Sequence, residues 1–87
     1  MFSTIKYNGK LNAIGFKLRE YRIKSNFTQE YICKKLQLLG IDMSVYSFKK
    51  LEKGDRIIKE YELAGFCKIL NVSADELLKN CLKNLKA

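Results

Sequence analysis

Apolar residues return along this chain every three or four positions, and they do so in five separate runs. Leu11, Ile14, Leu18 and Tyr21 make the first stripe, with Lys17, Arg19, Glu20 and Lys24 on the remaining faces. A spacing near 3.6 residues buries one side of a helix, so a helix is expected over residues 11–25. Ile32, Cys33 and Leu36 form the inner side of a second helix, and Phe48 and Leu51 that of a third. Leu63, Phe66, Cys67 and Leu70 mark a fourth over residues 59–70, and Leu77, Leu78, Cys81, Leu82 and Leu85 a fifth from Ala74 to near Asn84. No run shows convincing alternation with the period of two that a strand requires. Residues 1–10 are expected to form a loose arm, with a weak strand signal over residues 4–7. The fold class is therefore all-α, a compact five-helix domain spanning residues 11–87.

Local chemistry supplies the boundaries. Thr28, Ser44 and Ser73 each follow an apolar residue (Phe27, Met43 and Val72) and precede another at the fourth helical position (Ile32, Phe48 and Leu77). A hydroxyl at the N-cap accepts from an unpaired backbone N–H, and the flanking apolar pair staples the chain as it enters the helix. Glu76, three residues after Ser73, adds a capping box. Gly40, Gly54 and Asn71 follow the second, third and fourth helices, where a left-handed residue closes the last turn.

Charge narrows the partner. Seventeen Lys and Arg face nine Asp and Glu, a net +8 on 87 residues. A small basic domain points to a polyanion, nucleic acid before an anionic membrane. No apolar run is long enough to span a bilayer, and MFSTIKYNGK lacks the apolar core of a signal peptide, so a cytoplasmic location is expected. His is absent and the three cysteines, Cys33, Cys67 and Cys81, contain no CxxC pair. Neither a metal site nor a cofactor is indicated, and Cys33 and Cys67 fit core packing. Without His, a nucleophile–base pair or a phosphate-cradling glycine loop, enzymatic chemistry is not expected. Asp42, Asp55, Glu60, Glu62, Asp75 and Glu76 fit helix-start charges or solvated surface.

The third helix carries the most specific pattern. With Phe48 and Leu51 inward, VYSFKKLEK presents Val45, Tyr46, Lys49, Lys50 and Lys53 outward. Lys50 can donate to guanine O6 or N7, while Val45 and the Tyr46 ring can pack on a thymine methyl. An ordinary amphipathic helix with a solvated basic face has the same spacing.

The order of the segments adds weight. IGFKLREYR (Ile14–Arg22), FTQEYICKKL (Phe27–Leu36), MSVYSFKKLEKG (Met43–Gly54), ELAGFCKIL (Glu62–Leu70) and NVSADELL (Asn71–Leu78) together resemble the phage repressor and Cro-like helix-turn-helix family of bacterial transcription regulators. The resemblance covers Ile14 to Leu78. It implies a five-helix domain of the lambda-repressor-like type, whose second and third helices bind double-stranded DNA. It places base reading on Val45, Tyr46 and Lys50, with Lys49 beside them. It places phosphate contacts on Thr28, Gln29, Lys53 and Arg56, with the cap Ser44 counted among them. It also implies an internal ion pair between Arg22 and Glu52. Two departures stand out. Ser44 comes eight residues after Leu36, so the second helix is longer or the turn expanded. Lys49 stands where a small polar residue is common, which favours phosphate contact over base discrimination.

The expected function is thus a stand-alone transcriptional regulator, in the first place a repressor. Its control would enter through concentration, proteolysis or a protein partner carrying the signal. Leu78, Cys81, Leu82 and Leu85 on the fifth helix are a candidate homodimer surface, since dimers of such proteins read two half-sites. The antitoxin of a toxin–antitoxin operon, and a protein-interaction module that has lost DNA binding, are the other readings.

Overall fold

Asn12, and not the apolar stripe, decides where the first helix begins. The computed structural model describes residues 9–84, with side chains through Lys79. Asn12 Oδ1 accepts from the backbone N–H of Ile14 and of Gly15 at 3.2 and 2.7 Å. Helix α1 therefore runs Gly15–Lys24, four residues shorter at its start than the periodicity predicts. Leu11 is half-buried, precedes the helix and is not one of the residues packed in or against the core cluster. Its N–H donates instead to the Gly54 carbonyl at 2.7 Å.

The described residues contain four further helices, α2 (Gln29–Leu38), α3 (Val45–Glu52), α4 (Glu60–Leu70) and α5 (Ala74–Asn84), and no strand. Thr28 and Ser44 cap α2 and α3 through their hydroxyl oxygens, which accept from Tyr31 and Ser47 N–H at 3.0 and 3.1 Å. Ser73 does the same for Glu76 N–H at 3.1 Å, but the Glu76 carboxylate stays exposed and the reciprocal half of the box is not made. The three stapling residues Phe27, Met43 and Val72 all pack on the core that holds Ile32, Phe48 and Leu77.

Helix ends repeat one device. Ile41 N–H reaches back to Leu36 O and Gly40 N–H to Gln37 O, both at 2.9 Å, with Gly40 at φ +86°. This is a Schellman closure, which satisfies carbonyls that the helix leaves unpaired. The same 6→1 bond links Asp55 to Lys50 after α3 and Val72 to Cys67 after α4. A fourth closes α1, from Phe27 to Arg22, around Asn26 at φ +60°. Both alternatives for the long connection after Leu36 hold: α2 continues two residues to Leu38, and six residues then lead to α3.

The core is one cluster. Leu18, Ile32, Leu36, Phe48, Leu51, Phe66 and Leu77 are almost wholly excluded from solvent, and the Phe48 and Phe66 rings stack obliquely at 5.6 Å. Helix α3 packs against α1 and α2, while α4 packs against α1, α2 and α5. Cys33 is buried and Cys67 half-buried; burial pushes both thiols above their ordinary range, as expected of packing residues. The expected arm is anchored at its last residue: the Lys10 side chain lies against Gly54, and Lys10 Nζ is 3.8 Å from Asp55. The strand signal over residues 4–7 lies outside the described residues. None of the helices described is long and apolar enough to cross a membrane.

Candidate nucleic-acid interface

Helix α3 is held at its C-terminal end and from beneath. Its inner side is Phe48, Leu51 and Glu52, all buried. A buried carboxylate needs partners, and Glu52 has three hydrogen bonds. Arg22 donates through Nε to Oε2 at 2.7 Å and through Nη2 to Oε1 at 3.2 Å, a forked pairing. Gln29 Nε2 donates to Oε1 at 2.9 Å. Arg22 also donates to the Phe27 carbonyl at 2.9 Å. One carboxylate thus ties the end of α1 and the start of α2 to the end of α3. Arg22 is 13% exposed and Glu52 3%, so the pair lies in the interior.

Asn12 completes the support. Its Nδ2 donates to Leu51 O at 2.9 Å and to Arg56 O at 2.8 Å. The side chain that starts α1 therefore also satisfies a carbonyl in the last turn of α3. Helices α1 and α3 meet closely there, because Gly15 offers no side chain: a Cβ would collide with the Leu51 carbonyl oxygen. Sequence reasoning missed Asn12 and Gly15. Both act across 39 or more and 36 positions of chain, respectively, which local spacing does not encode.

With Glu52 turned inward, α3 has no carboxylate on its outer side. Tyr46 is 71% exposed there, and Ser44, Lys49, Lys50 and Lys53 are all exposed, with Val45 half-buried at the edge. Lys50 Nζ lies 5.4 Å from the Tyr46 ring centroid, a cation–π arrangement that places a donor beside an aromatic face. Thr28 is exposed at the start of α2, and its hydroxyl proton remains free because the oxygen serves only as acceptor.

Two residues expected at phosphate have internal partners instead. Gln29 is half-buried with its amide committed to Glu52. Arg56 donates from Nη1 and Nη2 to the two Glu62 oxygens at 2.9 and 2.8 Å, and from Nη1 to Ile57 O at 3.1 Å. Glu62 lies in the first turn of α4, as expected of a helix-start charge, but it is buried and not part of the solvated surface. It also accepts from Lys59 N–H at 3.0 Å, capping α4 where Lys59 offers no side-chain acceptor. The Arg56 hydrogen bonds hold the Glu62 carboxyl below the ordinary glutamate range against the opposing effect of burial, and Arg56 is itself raised by the same bonds. A phosphate role for Arg56 does not follow from this geometry.

The fifth helix is described only in part. Leu78 is half-buried at the edge of the core. Leu85 and the side chains of Cys81 and Leu82 lie outside the described residues. No family model, curated protein or solved structure matches the chain.

Proposed function

We propose that this chain is a sequence-specific DNA-binding transcription regulator, a repressor, that inserts α3 into the major groove of a duplex operator. The observation that carries the reading is the outer side of α3: three lysines and a tyrosine with no carboxylate, on a helix fixed by the Arg22–Glu52–Gln29 clamp. Base readout needs a helix whose angle is set by packing and whose outer residues are free, and that division of labour is how a recognition helix works. The resemblance to the phage repressor and Cro-like family supports the reading, as does the succession of five helices, although six residues join α2 to α3 in an expanded turn.

In this reading Val45, Tyr46 and Lys50 meet base edges, with Lys49 beside them. Thr28, Ser44 and Lys53 meet phosphates. Gln29 acts through its backbone N–H at the start of α2, since its side chain is engaged. Selection of bound duplexes from a random pool, followed by gel-shift titration, tests it. An inverted-repeat preference with salt-sensitive affinity is expected. Weak binding, equal on all duplexes, overturns it. Lys50→Ala should cost about 1–3 kcal/mol on the selected site and relax preference at one base pair.

A further inference from the structure

A groove of about 320 Å³ opens between α2 and α4, lined by Tyr31, Lys35, Leu38, Leu39, Lys68 and Ile69. Leu38 is 76% exposed, more than any other large apolar side chain described, and Leu39 and Tyr31 beside it are also exposed. Single exposed leucines are ordinary, but two adjacent ones and a tyrosine at the mouth of one groove, rimmed by lysines, offer apolar anchoring for a partner. The groove's position follows from the fold. Leu38 and Leu39 are the last helical residue and the cap of the lengthened α2, held out by the Gly40 closure, and Gly65 lets Leu36 and Ile41 settle onto α4 beneath them.

From these features we infer that the groove docks an amphipathic helix of a partner protein, one with apolar anchors and acidic flanks. Charge selects that occupant. The lining contains two lysines and no carboxylate, with Lys35 Nζ 5.6 Å from the Tyr31 ring, and Lys34 is exposed on the same helix. From Tyr31 to Leu39 the floor extends about 12 Å at 1.5 Å per residue, room for anchors spaced i, i+4 and i+7 on a docked helix. Duplex DNA has no use for an exposed leucine at its backbone. A basic partner would meet Lys35 and Lys68. The groove lies on the α4 side of α2, whereas α3 packs on α1 and α2, so a docked helix leaves the outer side of α3 free.

The test titrates the ¹⁵N-labelled full chain with a synthetic Ala-based helix bearing Leu at i, i+4 and i+7 and Glu at the positions flanking them. Shifts centred on Leu38, Leu39 and Ile69, with affinity falling as salt rises, are expected. Leu38→Glu and the double variant K35E/K68E should each weaken binding at least tenfold with the circular dichroism spectrum unchanged. Any of four results overturns the inference: no binding, shifts centred elsewhere, equal binding of a peptide with Lys in place of Glu, or insensitivity to both variants. Leu38-dependent self-association in sedimentation, or Leu38-dependent binding to phosphatidylglycerol vesicles in place of the peptide, also overturns it. DNA binding is measured separately, so failure here leaves the reading of α3 standing, and the reverse.

Discussion

Two arginines in this chain do structural work. Arg22 and Arg56 each fork onto a buried glutamate; the first pair joins α1 to α3 across 30 positions, and the second ties the loop after α3 to the start of α4. Removing one member of a buried pair leaves an unmatched charge inside, so Arg22→Met should cost about 3–5 kcal/mol in urea unfolding. Replacing both partners, R22M/E52L, should recover part of that loss, because an apolar pair carries no charge-desolvation penalty while the Gln29 amide and the Phe27 carbonyl lose their partners; a double variant as unstable as the single one would refute this. The second pair yields a pH signature. Glu62 titrates lower in the folded chain than in the unfolded one, first through its hydrogen bonds from Arg56. Its contribution is therefore complete above the unfolded glutamate value of about 4.3. It is lost as pH falls from there through the folded value, since the unfolded chain takes up the proton first. Wild type should be more stable than Glu62→Gln at pH 7, and the gap should narrow below pH 4. A gap that stays constant across that range would refute the linkage.

At the level of elements, caps and closures were legible in the sequence and cross-chain contacts were not. Thr28, Ser44, Gly40, Gly54 and Asn71 announce helix ends because their chemistry acts within four or five residues. Asn26 uses the same left-handed closure but was missed, since an asparagine followed by Phe27 reads as part of the next helix's lead-in. Leu11 misplaced the start of α1 because its three-residue spacing from Ile14 fits a helical stripe, although the helix begins only at Gly15 and Leu11 is not part of the core. Glu62 looked like a dipole charge; its partner Arg56 six positions earlier identifies it as a cap only when the loop geometry is known. Among the expected site residues, the outer side of α3 followed from helical period alone, whereas the commitments of Gln29 and Arg56 depended on packing. The contact of α1 with α3 gives a prediction of its own. On propensity alone Gly15→Ala would stabilise α1 by roughly 0.5–1 kcal/mol. The new Cβ meets the Leu51 backbone and lies 2.9 Å from Asn12 Oδ1, and such overpacking costs about 1–3 kcal/mol. A net loss of stability is expected by thermal unfolding. Gly65→Ala should cost less, because the atoms it meets are the ends of the Ile41 and Leu36 side chains, which can yield.

For the whole molecule the net charge of +8 matters less than which cations are unmatched. Arg22 and Arg56 are neutralised by Glu52 and Glu62, so the field reaching a polyanion comes from Arg19 and the exposed lysines, with Lys49, Lys50 and Lys53 together on α3. Counterion release makes that distinction measurable. Each phosphate neutralised contributes about −0.9 to the slope of log affinity against log salt. Lys53→Ala should lower affinity about equally on all sequences and reduce the slope by about 1, leaving the selected motif unchanged. Lys50→Ala should change the motif. R56M/E62L is the informative contrast, since it removes an arginine next to the same helix while conserving net charge. If Arg56 serves only Glu62, this double variant keeps the wild-type salt slope on every duplex. A slope reduced as far as in Lys53→Ala, in a variant still folded by circular dichroism, would return Arg56 to the DNA surface and require the Glu62 pairing to open on binding.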